Sequence, residues 1–378
     1  MIDGVPTSRP SAEFTRHELM MRRQHRRRSA ALGVAALILI GLLLVLFARA
    51  GSDTSSATRT TVPSTRPVAT STTVPTAVQP GTGGMLPFSA SSFWNAALPA
   101  NAPRAANSRA LVRSFNNQWR TFYGTVGINT NDYSIPIYTV PADQPPVSVS
   151  IARGCNQDPG LLDQLSAVPI PDDAQPANGG DHSLVIWQPA TDTEWELWIA
   201  QHAFNGSWSA CWGGRIQSVS KEQGVFPNPY GVAASGLSYL AGSMKVSELQ
   251  AGEIKHALAV VVVHTTDGTQ VAPATRNDCT STAPDAIPEG TRFRLDPSVD
   301  VTKLGLSDTG VTIARALQTY GMFVTDTSGA VVLEAEDGQP YIAAGMPDPY
   351  AAIFGHLLSY QVLANIPWDR LQVVQPGS

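Results

Sequence analysis

An uncharged, almost wholly apolar run of about twenty residues, SAALGVAALILIGLLLVLFA at 29–48, constrains this chain more than any other feature. Its length matches the hydrocarbon thickness of a bilayer. Arginines stand directly before it at positions 22, 23, 26, 27 and 28. Positive charge beside a membrane helix stays on the cytoplasmic side. We therefore predict a basic cytoplasmic tail at 1–28, a single-pass signal-anchor helix at 29–48 that lies in the lipid bilayer, and an extracellular remainder.

A cleavable signal peptide is the alternative. Ala48-Arg49-Ala50 has the small-x-small form of a cleavage site, so the domain would then be secreted after cleavage near Ala50. The long segment before the apolar run, and the length of the run itself, favour a retained anchor. Residues 49–84 are rich in Ser, Thr, Pro and Gly, a composition that cannot bury a core and predicts a disordered stalk. The extracellular globular domain is predicted at 85–378.

The charge of the outer domain differs from that of the whole chain. Residues 1–83 hold about 10 of the 25 basic residues and about 4 of the 30 acidic residues. The remainder is therefore strongly acidic and would repel a phosphate backbone, which excludes nucleic acid as a predicted partner. An acidic domain suits neutral or cationic ligands. No cofactor is predicted, although a divalent cation would fit the charge.

All three cysteines lie in the outer domain, where a disulfide is expected. We predict the pair Cys155–Cys211, because both residues lie in polar sequence flanked by glycine, and this leaves Cys279 as a free thiol. No CxxC or Cys/His spacing points to zinc. The chain also lacks GxSxG, P-loop, GxGxxG and HExxH signatures.

Many short apolar runs separated by Pro and Gly predict a mainly β domain of the sandwich or jelly-roll type with a few peripheral helices, and α+β is the alternative. The predicted strands are 134–140, 147–152, 182–188, 194–204, 256–265, 291–295, 322–326 and 331–334. The predicted helices are 107–121, 247–250, 312–320 and 349–363.

The predicted strand at 194–204 carries an unusual face. Side chains alternate along a strand, so Glu194, Glu196, Trp198 and His202 share one side. Such a face is either plainly solvated or faces a ligand. In the second interpretation Trp198 stacks on a sugar, His202 contributes to binding, and Glu196 transfers protons.

Two further segments carry histidine. Glu253 and His256 lie three apart in GEIKHAL, a spacing that brings them together on a helical turn. The alternative is a structural Glu–His hydrogen bond. Gly180-Asp181-His182 enters the predicted strand at 182–188, where His182 is either catalytic or structural and Asp181 is a candidate for binding substrate.

Several short sequence motifs of the chain resemble those of a family of largely uncharacterised secreted proteins of actinobacteria, other bacteria and some fungi. The motifs are FWN at 93–95, SLVIW at 183–187, GEIKHAL at 252–258, PDAIP at 284–288, ALQTYGMFVTD at 316–326 and GMPDP at 345–349. The resemblance implies an extracellular protein, often associated with carbohydrate. It favours His182, Glu196, Glu253 and His256 over the other polar residues.

These observations predict a membrane-anchored extracellular protein that acts on cell-wall or environmental glycans, as a hydrolase or lyase using general acid/base catalysis. The expected catalytic residues are Glu196, Glu253, His256 and His182. Glycoside hydrolysis requires two carboxyl groups, and Glu196 with Glu253 is the predicted pair. The alternatives are a non-catalytic module that binds glycan or cell-wall polymer, and a structural ectodomain that binds a protein.

Overall fold

Short runs rich in β-branched and aromatic residues form two larger sheets in the computed structural model, which describes residues 79–80 and 85–377. These residues belong to one compact unit, Thr73–Ser378. The predicted tail and anchor helix, and most of the predicted stalk, lie outside the described residues. Among the residues that are described, we find no helix with the length and apolarity needed to cross a membrane.

The strands and helices are numbered in chain order. The strands are β1 (Gln79–Pro80), β2 (Gly127–Asn129), β3 (Ile137–Thr139), β4 (Val149–Ile151), β5 (Leu184–Gln188), β6 (Thr193–Trp198), β7 (Gln201–His202), β8 (Trp208–Ala210), β9 (Trp212–Gln217), β10 (Leu258–Val262), β11 (Thr265–Gln270), β12 (Ile287–Glu289), β13 (Arg292–Leu295), β14 (Met322–Thr327), β15 (Val332–Glu334) and β16 (Leu371–Val373). The α-helices are α1 (Ser108–Thr121), α2 (Pro159–Gln164), α3 (Tyr239–Gly242), α4 (Val246–Ala251), α5 (Asp308–Thr319), α6 (Gln339–Ala343), α7 (Pro349–Phe354) and α8 (Ser359–Val362). Single 3-10 turns lie at Pro189–Thr191, Val219–Lys221, Val301–Lys303 and Trp368–Arg370.

Both larger sheets mix parallel and antiparallel pairs. The first has the order β1-β3-β5-β6-β9, in which only β3 and β5 run parallel. The second has the order β16-β13-β14-β10-β15-β2, with β10/β14 and β15/β2 parallel. Smaller sheets are formed by β11-β12 and by β4-β8-β7. The prediction of a mainly β domain with few helices is confirmed at this level.

Strand alternation distributes the apolar side chains over three buried clusters. Val185 of β5, Ala259 of β10 and Phe323 of β14 share the middle cluster, to which both larger sheets contribute around Trp94. The other face of β5 and β6, including Leu184, packs in a cluster beside α2. The opposite face of the second sheet packs in a third cluster with α1 and α5. Because β5 and β10 are buried on both faces, they read as continuous apolar runs in the sequence.

Two helix predictions had opposite outcomes. The apolar stripe predicted for 107–121 is confirmed: Phe115 of α1 is fully buried, and Leu111 and Trp119 pack against the same cluster. The single helix predicted at 349–363 is wrong. It ends at Phe354, because Gly355 has φ +61° and ψ −114°, a conformation outside the helical region that glycine readily adopts. A separate turn, α8, follows.

The strand predicted at 256–265 is also interrupted. β10 ends at Val262, β11 begins at Thr265, and His256 precedes β10. His256 is paired with Glu248 through a 3.0 Å contact, and His264 is paired with Asp285 through a 2.8 Å contact. The two histidines therefore belong to separate acid–imidazole pairs.

Candidate functional site

A strained turn ends the predicted strand at 194–204. β6 stops at Trp198, and Ile199 has φ +51° while His182 has φ +42°. A β-branched residue rarely adopts a positive φ, and such strain concentrates at functional sites. Backbone hydrogen bonds of 2.7 Å from Ile199 N to Asp181 O and of 3.1 Å from Ala200 N to His182 O connect the two strained segments.

The turn brings together two of the residues predicted to bind substrate. Trp198 Nε1 donates to Asp181 Oδ1 at 3.1 Å. The indole is half-buried and Asp181 is exposed, so both side chains have a solvent-facing part. The single strand face predicted for Trp198 and His202 is not observed, because β6 ends at Trp198 and His202 belongs to β7. His202 instead stacks on Trp208 with the ring centroids 4.4 Å apart.

A register shift in the pairing of β14 with β10 changes the orientation of a second carboxyl group, that of Asp326. The register with β10 shifts so that Val260 faces Val324 whereas Val261 faces Asp326. Such a bulge changes the direction of the side chain that follows it. Asp326 Oδ2 accepts hydrogen bonds from Ala234 N at 2.9 Å and from the Tyr239 hydroxyl at 3.4 Å.

A third carboxyl group lies at the end of β15. Glu334 is almost completely buried, and its Oε1 accepts a hydrogen bond of 3.1 Å from Asn129 Nδ2 on the adjacent strand β2. Parallel pairing with β2 fixes the position of its backbone. Among the described residues, the neutral Asn129 amide is the one hydrogen-bond donor to this carboxyl group.

Asp181 interacts electrostatically with Tyr239, Asp326 and Glu334, and we group these residues as one candidate site. The negative charge of Asp181 contributes to the raised pKa values of Tyr239, Asp326 and Glu334. Desolvation is the largest cause in each case, and it raises the pKa of Asp326 and that of Glu334 to about 8. We call Asp181, Trp198, Tyr239, Asp326 and Glu334 the acidic cluster. At neutral pH it contains carboxyl groups that retain their protons beside an exposed carboxyl group and an indole.

Glu196 lies beneath the acidic cluster and positions it. The residue is fully buried, and its Oε1 accepts hydrogen bonds from Tyr239 N at 2.6 Å and Leu240 N at 3.2 Å. Those amides belong to the first turn of α3, which carries Tyr239. Burial raises the pKa of Glu196 to about 7 against the effect of these bonds. The interpretation of this strand face as plainly solvated is wrong, because Glu194 is fully buried as well.

The raised pKa of buried Glu194 predicts how the stability of the fold depends on pH. Burial, and then the charge of Glu196, raise its pKa well above 4.5. Unfolding therefore releases a proton above pH 4.5, and stability decreases as pH rises toward the folded-state pKa. We expect Glu194→Gln to melt at the wild-type temperature near pH 4.5 and at a higher temperature at pH 8. Glu222→Gln, at an exposed position, is the control for thermal melts across this range, and identical pH slopes for wild type and Glu194→Gln would contradict this prediction.

The remaining predicted catalytic residues lie in other surroundings. His256 is buried, with Nδ1 2.7 Å from Ala257 O and Nε2 3.0 Å from Glu248 Oε2, so both ring nitrogens face acceptors. Glu253 is exposed and forms an ion pair with Lys255 at 2.9 Å. The half-buried His182 ring contacts Ala177 O at 3.1 Å through Nδ1. The contacts of the described residues do not join Glu196, Glu253 and His256 in one site, and their catalytic roles stay predictions.

The cysteine prediction is confirmed. Cys155 and Cys211 form a disulfide, with Cα atoms 5.2 Å apart, and Cys279 is a buried free cysteine. The disulfide connects the loop after β4 to the segment between β8 and β9. It lies beside the small β4-β8-β7 sheet, to which Trp208 belongs.

Sequence reasoning missed Tyr239, Asp326 and Glu334. The sequence offered one indication of Asp326 and Glu334: each is an acidic residue at the last position of a predicted apolar strand. Tyr239 gave no comparable signal.

Comparisons of the chain with protein-family models, with curated proteins and with solved structures find no match.

Proposed function

We propose that this chain is a membrane-anchored extracellular protein whose outer domain cleaves glycans of the cell wall or the environment by general acid/base catalysis. The observation that carries the proposal is the acidic cluster, in which desolvated carboxyl groups with raised pKa values accompany an exposed carboxyl group that is hydrogen-bonded to a half-exposed indole. Hydrolysis of a glycosidic bond needs one carboxyl group to donate a proton and a second to act as base or nucleophile.

Four members of the acidic cluster have separate roles in this proposal. Asp326 donates its proton to the leaving oxygen, because it is more accessible than Glu334. Asp181 activates water or attacks the sugar. Trp198 stacks on the apolar face of a sugar ring, and its hydrogen bond to Asp181 couples the two roles. The Tyr239 hydroxyl donates to Asp326 and keeps that side chain oriented.

The wider architecture belongs to the same proposal. The anchor at 29–48 holds the domain at the lipid bilayer, and the stalk lets it reach a wall polymer. Since both larger sheets contribute to the middle apolar cluster, we include a sandwich-like packing of the two sheets. The acidic outer domain makes nucleic acid an unsuitable partner.

A non-catalytic glycan-binding module is the second candidate, and an exposed aromatic surface favours it. The exposed His202 ring stacks on the buried Trp208 within the β7–β8 hairpin, and Phe204 at the tip of the hairpin is fully exposed. Flat rings near a fixed hairpin form a platform on which sugars can stack. Such a module would bind glycan without needing Asp181 or Asp326.

Two variants of the full-length chain distinguish these candidates. With isolated cell-wall glycans, Asp181→Asn should reduce the release of sugars at least about 100-fold while glycan binding persists, because it removes only the base. Trp198→Ala should weaken binding, with a rise in KM. Asp172→Asn, an exposed matched control, should behave as wild type. If the wild-type chain binds glycans without releasing sugars, the enzyme proposal fails and the binding module is supported.

A further inference from the structure

The free cysteine lies in a compact group of metal-ligand side chains beside the acidic cluster. The ligand atoms of Asp278, Cys279 and Glu289 all lie within 4.8 Å of one another. Cys279 Sγ is 2.9 Å from Glu289 Oε1. Cys279 and Glu289 are buried whereas Asp278 is exposed, so the group is open to solvent on one side. These atoms are close enough together to become ligands of one ion.

Paired strands hold the ligands in place. Glu289 ends β12, which runs parallel to β11 with Gln270 opposite Glu289, and its carbonyl accepts from Val271 N at 2.8 Å. The loop carrying Cys279 is tied to β11 by a 3.1 Å bond from Asp267 N to Ser281 O. Ligands fixed by surrounding structure lose little entropy when an ion binds.

An uncompensated atom points to a missing partner. Glu289 is fully buried, and its Oε2 has no hydrogen-bond partner among the described residues. A buried polar atom without a partner is costly, and native proteins usually satisfy it. A cation would satisfy Glu289 Oε2.

We infer that Asp278, Cys279 and Glu289 bind one divalent cation of the zinc class. Thiolate ligands select zinc and similar ions, whereas calcium and magnesium prefer sites made entirely of oxygen. When the ion binds, the Cys279 thiol loses its proton to solvent and a metal–sulfur bond replaces the S–H bond. The Thr265 hydroxyl, in contact with Cys279 Sγ, is placed to donate to the thiolate and orient it. Three protein ligands leave one position of a tetrahedral ion for water.

Metal binding by the purified full-length chain tests this inference without any substrate. After removal of bound metal with a chelator, Co²⁺ should produce a thiolate-to-cobalt absorption band, and Zn²⁺ should displace it with one ion per chain. Asp278→Asn should weaken zinc binding at least about tenfold. This exposed position avoids the folding risk of a core change. Cys279→Ser should abolish the band.

Asp267→Asn, an exposed change on β11, is the matched control and should bind as wild type. The inference is overturned if wild type shows no band, or if Asp278→Asn and Cys279→Ser bind zinc as tightly as wild type. Binding of Ca²⁺ or Mg²⁺ without a response to Zn²⁺ or Co²⁺ would also overturn it. A negative result here leaves the glycan proposal standing, because that proposal rests on Asp181 and Asp326.

Discussion

Replacing Asp326 with asparagine should reduce the release of sugars from cell-wall glycans at least about 100-fold, since general acid catalysis typically contributes 10²–10⁴-fold. Asparagine retains an oxygen that accepts from Ala234 N and the Tyr239 hydroxyl, so the local structure should persist. It lacks the proton that the leaving oxygen needs. The effect should therefore appear in kcat, with KM little changed.

The wild-type rate should depend on pH in a direction that follows from the same group. Desolvation, and then the charge of Asp278, raise the pKa of Asp326 to about 8. A general acid works only while protonated, so the rate should fall as pH rises through about 8. The residual rate of Asp326→Asn should lack this alkaline decline. Rates measured from pH 5 to pH 10 provide the comparison.

Two controls distinguish loss of the general acid from misfolding of the Asp326→Asn variant. Asp172→Asn should retain the wild-type rate and pH profile. Near-UV circular dichroism should be the same for wild type and Asp326→Asn. Wild-type turnover by a folded Asp326→Asn would eliminate this residue as the acid. If that variant does not fold, an unchanged alkaline decline in Glu334→Gln would support Asp326 as the acid, and its loss there would transfer the role to Glu334.

Glu248→Gln should reduce the free energy of unfolding by on the order of 3 kcal/mol at pH 7, because it removes the negative charge beside the buried Lys245 and the buried His256 ring. Glu248 Oε2 contacts His256 Nε2 at 3.0 Å and accepts from Lys245 N at 2.9 Å. Burial opposes ionisation of Glu248, yet His256 and then Lys245 lower its pKa to about 2. Glu248 therefore stabilises the fold as a carboxylate.

The pH dependence of this effect has a defined sign. A lowered folded-state pKa contributes stability above the unfolded value of 4.5, and this contribution is lost as pH falls toward 2. The difference between wild type and Glu248→Gln should thus be smaller at pH 3 than at pH 7. Urea unfolding at both values measures it.

Glu253→Gln provides the matched control, since that carboxylate is exposed and, within the part of the chain that the structure describes, forms its ion pair with Lys255 across 2.9 Å. Its unfolding midpoint should stay within error of wild type, as expected for an exposed ion pair. Equal midpoints for the Glu248 and Glu253 variants would show that the buried pair adds no stability.

Local periodicity was sufficient for much of the fold. The strands at β5, β10 and β14 were predicted because their apolar runs are long enough to be buried on both faces, and α1 because its stripe recurs at helical spacing. The strand breaks at Ile199 and after Val262 were not predictable. Each depends on hydrogen bonds to segments distant in the sequence, such as Asp181 and Gln118.

The candidate site was predicted only in part. The sequence predicts that Asp181 and Trp198 bind substrate, and their side chains are hydrogen-bonded to each other. Glu196 was selected for its unusual strand face, but burial and the amides of α3 make it a positioning residue. Asp326 and Glu334 were missed because the strand pairings and the register shift that set their positions join segments far apart in the chain.

By itself, the sequence determined the acidic character of residues 85–378, the mainly β class and the Cys155–Cys211 pair, because charge, alternation and cysteine content act locally or through composition. Only the tertiary structure decided which carboxyl groups meet and which retain a proton. Those properties depend on desolvation and on distances between strands. The residues adjacent to Asp326 and Glu334 in the sequence predict neither of the two.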